Sequence, residues 1–454
     1  MLGVLFYLLY FLIIISTVYF FLKKSIGVIY PLIITSQFNV TSIVKIGITV
    51  SFFELNLFLL LALILLFQKQ KLKTYLTSVR LFLPDFIWIA FLGVSLISIF
   101  FGLTRVALGN LSPEQYMSPS PFIRGIMSLN KLFVFLPVFI IVRNYLIDHF
   151  SIEKINSNFL YAMILGGILP SLAVLIQFSG IGFILIHNNP SFSETFRIED
   201  YLGARPAGLT NEASFFVYQL FFSNLALFYA FRKRLLSLKL FLAIAVLFLV
   251  CVILSISRLG QLLFFIFYAI EFGRYIHIFS LKGALKSLFI LPVVLALIYL
   301  ISTLSIGGFN IGARFISTFE VEADLSTIER YGSSEALFNL LKDKSLFLGV
   351  GMYNFQYYIK DYLPSYMNVL YYPRGASPAS FNFVLQMAVE LGLILFMAYF
   401  AACGLILKKT SCSFIRYWYF YLLLFSMSFQ TLNFSIPFLI MFFVYENEEN
   451  SLFN

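Results

Sequence analysis

The chain has 454 residues, of which 61% are hydrophobic and 11% are charged, and its net charge at neutral pH is +10. A water-soluble domain does not carry so many uninterrupted apolar runs, so the composition excludes an ordinary soluble fold. The basic excess lies mostly in short clusters between apolar runs. Such clusters are typical of loops that contact anionic headgroups, and nothing indicates a nucleic acid partner.

Apolar stretches of the length that crosses a bilayer recur along the whole chain. They predict an all-α, polytopic integral membrane protein with about 12–13 transmembrane helices. The predicted spans are 2–22, 50–67, 81–102, 128–147, 157–178, 213–231, 238–256, 259–276, 286–304, 380–407, 412–428 and 430–445. A shorter apolar piece, 25–40, contains Pro31 and is either a crossing or a re-entrant segment. The side of the N-terminus depends on that choice.

Basic clusters in short loops predict which loops face the cytoplasm. These clusters are Lys23–Lys24, 69–80, 232–234, 274–286 and Lys408–Lys409. The chain then divides into an N-terminal bundle (1–304) with external loops at 103–127 and 187–212, a large external loop (305–379), and C-terminal helices with a short cytoplasmic tail (380–454). Within the large loop, Thr327 to Lys344 has the apolar rhythm of a helix that lies along the membrane surface.

Arginine and lysine are distributed differently between the two sides of the predicted topology. Most lysines fall inside, whereas eight of the fourteen arginines fall outside, namely Arg105, Arg124, Arg197, Arg205, Arg258, Arg314, Arg330 and Arg374. A topology signal alone depletes both cations outside the cell. A phosphate site retains arginine, whose planar fork suits phosphate oxygens. The excess therefore predicts a site for an anionic group at the outer membrane surface.

Short motifs place several of these arginines beside breaks in the helices. Arg205-x-x-Gly208 leads through Asn211 and Glu212 into a span, and the free N–H groups of that helix start suit an anion. Ser257-Arg258-x-Gly260 separates two apolar runs. Arg330 is followed by Gly349-Val350-Gly351-x-x-Asn354-Phe355, whose glycines allow close backbone approach.

Together with Leu385-Gln386-x-x-x-Glu390-Leu391-Gly392, these motifs resemble, in this order, the O-antigen polymerase and O-antigen ligase superfamily over about residues 200–395. The resemblance implies a glycosyltransferase of GT-C-like architecture in the bacterial cytoplasmic membrane, with its site on the periplasmic side. A glycan on undecaprenyl pyrophosphate would be transferred to a lipid-linked repeat unit without a cofactor or metal. Membrane lipids, a chain-length regulator and a flippase are the further partners that it implies.

Site residues follow from this chemistry, because the departing pyrophosphate gains negative charge that fixed cations stabilise. Arg205, Arg258 and Arg330 are the expected clamp, and Glu212 is the candidate general base. Further substrate contacts are expected from Arg314, Arg197, Gly208, Asn211 and Asn382. Each arginine has a simpler alternative, in which its side chain extends to the headgroups. Glu212 has one as well, as a favourable charge at a helix start.

Three other functions stay open. The resemblance implies that ligases carry a His-Asn pair just ahead of the Leu-Gln step. This chain has Phe381-Asn382 there, and the absence of the histidine favours the polymerase. A lipid-linked oligosaccharide flippase would be expected to show internal repeats and polar sites at mid-membrane, and no repeat is evident. A peptidoglycan-type polymerase uses the same class of donor but matches the motifs less well.

Other polar residues have structural explanations. The acidic run 320–324 is expected to be solvated rather than to bind metal. The intramembrane carboxylates are functional candidates by default, although most lie near an interface. They are Glu54, Asp85, Glu271 and Glu390. The three cysteines, which lie in or beside spans, are expected to be packing residues.

Overall fold

The computed structural model describes residues 2–36, 42–46, 48–71, 80–107, 121–179, 208–209, 213–255, 257–276, 305–306, 309–310, 325–367, 380–427 and 436–444. These residues are predominantly helical, which confirms the predicted class. Two compact units are present, and each consists of two separate stretches of chain. Unit 1 contains residues 1–56 and 157–324, and unit 2 contains residues 57–156 and 325–454.

Most of the α-helices follow the predicted spans. The described part of the predicted span 430–445 instead contains only a four-residue α-helix and a three-residue 3-10 turn. The α-helices are α1 (Leu2–Leu22), α2 (Ile29–Ser36), α3 (Phe52–Phe67), α4 (Leu83–Ala107), α5 (Pro121–His149), α6 (Ile152–Phe178), α7 (Ala213–Arg232), α8 (Leu238–Leu254), α9 (Arg258–Ile276), α10 (Leu325–Lys344), α11 (Phe355–Tyr358), α12 (Phe383–Lys409), α13 (Ser413–Ser426) and α14 (Ile436–Leu439). Short 3-10 turns occupy Ile26–Val28, Ile359–Tyr362 and Ile440–Phe442. The predicted span 286–304 lies outside the described residues.

Five helices in the described residues are long and apolar enough to cross a membrane, as judged by length and composition. The qualifying segments are Leu83–Arg105, Leu132–His149, Ile152–Phe178, Ala213–Arg232 and Phe383–Lys409. Shorter apolar helices accompany them, including Phe52–Phe67 and Leu238–Leu254. A chain with this set of helices is a membrane-embedded protein.

The first helix shows the side-chain arrangement that lipid favours. Its exposed residues recur every three or four positions and are large and apolar: Leu8, Phe11, Leu12, Ile15, Tyr19 and Leu22. The polar Thr17 instead faces inward, is fully buried, and donates a hydrogen bond to Asn56 Oδ1 at 2.7 Å. An apolar exterior around a hydrogen-bonded polar interior is expected where the surrounding solvent is hydrocarbon.

The segment after α1 differs from a simple crossing. The Ser25 side chain accepts from Gly27 N–H at 3.2 Å, and α2 then ends at Ser36. A helix of that length rises about 12 Å, less than half of the ~30 Å hydrocarbon core. Strands β1 (Ser42–Ile46) and β2 (Ile48–Ser51) follow as an antiparallel hairpin, which was not predicted. Its Ile, Val and Thr residues favour extended backbone.

The helices on either side of the predicted external loop 103–127 are longer than the predicted spans. Helix α4 continues to Ala107, and α5 already begins at Pro121, a residue suited to the first helical position. Most of the Ser, Pro and Gly residues of this segment fall in 108–120, outside the described residues. A second short antiparallel pair, Ser305–Ile306 with Phe309–Asn310, occurs in unit 1.

The predicted helix in the large loop is confirmed as α10. Its residues Ala336, Leu337, Leu340 and Leu341 are buried, which is the apolar face that the sequence pattern indicated. This face packs in unit 2 with Val350, with the segment Phe355–Ile359, and with Ala388 and Val389 of α12. The amphipathic spacing thus attaches α10 to α12.

Candidate functional site

The turn at Gly208, in unit 1, is fixed against the end of α6. Gln177 accepts from Gly208 N–H at 2.9 Å and donates to Gly208 O at 2.5 Å. Gly208 has φ +63°, and a Cβ there would lie 2.9 Å from both Phe216 and the Pro170 carbonyl oxygen. Glycine is therefore required for both conformation and space. The backbone N–H and C=O of Gly208 both pair with Gln177, and the substrate contact expected of Gly208 stays a prediction.

Four of the predicted site residues near this turn lie outside the described residues. They are Arg197, Arg205, Asn211 and Glu212, and the same holds for Arg314 further along the chain. Of this segment, the structure describes Gly208 and Leu209 and then α7 from Ala213.

The predicted break around Arg258 is confirmed. Helix α8 ends at Leu254, and Arg258 is the first residue of α9. The start of α9 packs tightly on α7, because a Cβ at Gly260 would lie 2.1 Å from Val217 Cγ1. Arg258 thus belongs to the first turn of a helix, whose N–H groups have no intrahelical acceptor.

In unit 2, Arg330 lies beside the amino end of α12. It belongs to the second turn of α10, and its guanidinium carbon is 5.9 Å from the centre of the Phe381 ring. Asn382 is the N-cap of α12, and its Oδ1 accepts from Leu385 N–H at 2.9 Å. The side chain of Asn382 thus has a structural role as a helix cap. Its substrate contact stays a prediction.

The helix that Asn382 caps has further backbone donors in its first turn. The Asn382 carbonyl accepts from Gln386 N–H at 2.9 Å, so the N–H groups of Phe383 and Val384 precede the first intrahelical bond. A guanidinium beside such an end combines a full positive charge with the positive end of the helix dipole. Chemically, this arrangement suits an anion with several oxygens.

The segment 364–367 packs against α10 within two turns of Arg330. Tyr366 donates to Glu335 Oε2 at 2.9 Å, and Met367 packs so closely that a Cβ at Gly332 would lie 2.4 Å from it. Partial burial, reinforced by the hydrogen bond to Glu335, raises the pKa of the Tyr366 phenol to about 12. Tyr366 therefore remains a donor at neutral pH.

The glycine-rich segment closes a break in α12. Gly392 has φ +74° and interrupts the helix. Val350 N–H donates to Val389 O at 3.0 Å, Gly351 N–H to Glu390 O at 3.1 Å, and Leu393 N–H to Leu346 O at 3.0 Å. The backbone groups released by the break are thus satisfied by the loop, as a break inside a membrane span requires.

Glycine at position 349 is what permits this contact. A Cβ there would lie 1.9 Å from the Glu390 carbonyl oxygen, which is backbone and does not rotate away. The close backbone approach predicted for these glycines is confirmed. We expect Gly349→Ala to lower the thermal unfolding midpoint in detergent, with a cost of about 2 kcal/mol or more.

A matched control lies in the same helix. Around Gly404 no heavy atom lies within 4 Å of an added Cβ, so Gly404→Ala should leave stability unchanged or raise it by about 0.5–1 kcal/mol. Equal unfolding midpoints for the two variants would contradict the close contact at Gly349.

Arg105 holds this loop to α4, a role that the sequence did not indicate. Its Nε donates to Gly349 O at 3.0 Å, and its Nη2 donates to Leu348 O at 2.8 Å and to Lys344 O. Ser98, two turns earlier on α4, donates to Glu390 O at 2.6 Å. Arg105 is one of the eight arginines predicted to lie outside, and its guanidinium donates to backbone carbonyls of the loop.

The four intramembrane carboxylates have partners within their own units. Ser51 and Glu54 form a reciprocal helix cap, with Ser51 N–H donating to Glu54 Oε2 at 2.6 Å. Glu271 pairs with Arg232. Glu390 Oε1 accepts from Gln386 Nε2 at 3.0 Å. These contacts are structural.

Asp85 forms the most buried ion pair of the described residues. Its two oxygens accept from Arg143 at 2.7 and 2.6 Å, and the two side chains are 0% and 1% exposed. Arg143 also donates to the carbonyls of Arg80 and Met441, at 2.8 and 3.1 Å. This pair connects α4, α5 and the segment around Met441 within unit 2.

The described residues contain neither a cluster of potential metal ligands nor a disulfide bond. Among the described residues, no three His, Cys, Asp or Glu side chains are grouped as metal ligands. All three cysteines are free thiols, and Cys251 Sγ donates to Ser171 O at 3.3 Å. The expected packing role of Cys251 agrees with its burial. Comparisons of the chain with protein-family models, with curated proteins and with solved structures found no match.

Proposed function

We propose that the chain is a glycosyltransferase of GT-C-like architecture that polymerises a bacterial surface polysaccharide, such as an O-antigen. It transfers a growing glycan from undecaprenyl pyrophosphate to the terminal sugar of a new lipid-linked repeat unit. The reaction takes place at the outer face of the cytoplasmic membrane.

The observation that carries this proposal is the place of Arg330 beside the amino end of α12. The guanidinium carbon lies 5.9 Å from the centre of the Phe381 ring, directly before the cap at Asn382, and the first N–H groups of α12 follow. A diphosphate offers several oxygens and two or more negative charges, which match a planar cation next to a helix start. A neutral sugar alone needs no such charge.

Unit 1 gives separate support for an anionic substrate. Arg258 opens α9, so a second arginine stands at the start of a helix. The Gly208 turn, held by Gln177, fixes the chain shortly after Arg205. Both features occur at the motifs that resemble the superfamily, and in the sequence each motif has an arginine at or shortly before the start of an apolar helix.

The reaction requires one bond to form and one to break. A hydroxyl oxygen of the acceptor sugar attacks the anomeric carbon of the donor, and the bond from that carbon to the pyrophosphate oxygen breaks. Glu212 accepts the hydroxyl proton, and the pyrophosphate leaves on its polyprenyl carrier. Arginines that hold this leaving group stabilise the charge that develops on it. The Phe381 side chain supplies no base, which favours the polymerase over a ligase with histidine there.

A test in cells separates the roles of two glutamates. Without the chain, cells that make its repeat unit should accumulate single lipid-linked units, and Glu212→Gln should give the same result at normal protein level. Glu153→Gln changes an exposed residue at the start of α6 and should leave long chains. Electrophoresis of the extracted glycans measures the outcome. Long chains in cells that lack the protein would contradict the proposal.

A further inference from the structure

Three consecutive large apolar side chains are exposed where the chain is not helical. Leu346 is 38% exposed, Phe347 67% and Leu348 53%. They follow α10 after the buried Ser345, and the last turn of α10 carries the exposed Lys342 and Lys344. We call residues 346–348 the apolar loop. In water, such a cluster would be costly to leave uncovered.

The hydrogen bonds of the apolar loop fix its level relative to α12. Leu393 N–H donates to Leu346 O at 3.0 Å, so the loop lies beside the first residue after the break. From Leu393 to Lys409 the helix rises about 24 Å at ~1.5 Å per residue, which is less than the ~30 Å of a hydrocarbon core. With Lys409 at one boundary, Leu346 lies within the hydrocarbon, close to the opposite boundary.

Helix α4 gives the same level independently. The helix rises about 30 Å from Asp85 to Arg105, the thickness of a hydrocarbon core. The Arg105 guanidinium, at the far end, donates to Leu348 O and Gly349 O. Ser98, about 10 Å below Arg105, donates to Glu390 O. The apolar loop therefore lies between the level of Arg105, at the membrane boundary, and the level of Glu390, at the buried break in α12.

The surface next to the apolar loop is already that of a lipid-facing helix. Ile394 and Met397 of α12 are 60% and 61% exposed, and they follow the residue that bonds to Leu346. Lys342 and Lys344 stand on the other side of the loop. Apolar side chains next to a transmembrane face, with lysines at the rim, match the border between hydrocarbon and headgroups.

We propose that the apolar loop is inserted into the hydrocarbon of the leaflet opposite Lys408–Lys409, as a shallow re-entrant turn. Lys342 and Lys344 then lie among the headgroups, and Arg105 satisfies the loop's carbonyls at the boundary. The partner of this surface is the acyl chains of the surrounding lipid. The loop thereby fixes the carboxyl end of α10, the helix that carries Arg330, at the membrane surface. Insertion of the apolar loop depends only on its contact with lipid and does not require transferase activity.

Tryptophan fluorescence of the full chain in liposomes tests the insertion. Phe347→Trp adds an emitter at a largely exposed position, whereas the native Trp88 and Trp418 are 3% and 0% exposed and form a constant background. In lipids brominated near the headgroup end of the acyl chains, the added emission should fall by more than half, and aqueous iodide should have little effect.

Asn339→Trp is the matched control, because Asn339 is exposed on α10 away from the apolar loop. Its added emission should respond to iodide and much less to brominated lipid. Leu348→Trp should repeat the behaviour of Phe347→Trp. The proposal is overturned if the emitter at position 347 is quenched by iodide as strongly as the one at position 339, or is indifferent to brominated lipid.

Discussion

Replacing Arg330 by alanine should lower the polymerisation rate by ~10²-fold, the usual effect of losing one fixed donor to a developing charge. Arg330 lies beside the amino end of α12, so its removal leaves the helix dipole without its neighbouring cation. Arg330→Lys should restore only part of the rate, because an ammonium keeps the charge but loses the planar fork. The rate is measured in proteoliposomes with labelled lipid-linked repeat units.

The control for Arg330 is another arginine on a helix. Arg416 is exposed on α13, and Arg416→Ala should retain the rate of the unmodified chain. Both alanine variants must show the same unfolding midpoint, so that a lost rate reflects the site. A normal rate for Arg330→Ala would remove this residue from the mechanism.

The second large effect concerns stability. Asp85→Ala leaves the Arg143 guanidinium, which is 1% exposed, without its carboxylate. Removing one partner of a buried pair commonly costs about 3–5 kcal/mol, because the other charge stays buried and uncompensated. The double variant Asp85→Leu with Arg143→Met removes both charges and should be clearly more stable than Asp85→Ala. Unfolding by denaturant in detergent measures the difference.

An ion pair with one partly exposed member provides the comparison. Arg232 is 34% exposed where it pairs with Glu271, so solvent screens its charge when the partner is removed. Glu271→Ala should therefore cost about 1 kcal/mol or less. Equal losses for Asp85→Ala and Glu271→Ala would show that burial does not set the strength of the Asp85 pair.

The spans could be predicted from the sequence because each depends on a local apolar run. Helices α4, α6, α7 and α12 begin and end within a few residues of their predicted positions, except where α4 extends past 102. The hairpin after α2 was missed, since a short run of Ile, Val and Thr suits a strand as well as a buried helix.

The break in α12 could not be read from its own segment. The sequence predicts one uninterrupted span over residues 380–407, and only the contact with the distant Gly349 loop shows why Gly392 interrupts the helix. The role of Arg105 was missed for the same reason, because its carbonyl partners are more than two hundred positions away in the sequence. The sequence shows only that an arginine lies near the end of an apolar helix, and this does not identify the groups to which the arginine donates.

The candidate site was predicted in part. The sequence correctly placed a helix break before Arg258 and a turn at Gly208, since Gly, Pro and Ser interrupt apolar runs locally. It gave no account of the contact between Arg330 and Phe381, which joins two helices that are distant along the chain. Charged residues and turn residues can be recognised from a short stretch of sequence. A contact between residues that are distant along the chain cannot.

The most direct test of polymerase activity uses the purified chain in liposomes that contain only single lipid-linked repeat units, in the presence of a metal chelator. We expect a ladder of longer lipid-linked glycans, released polyprenyl pyrophosphate, and loss of the ladder with Arg330→Ala. Transfer of units across the bilayer without any elongation, or transfer only to an added acceptor of another kind, would contradict the account.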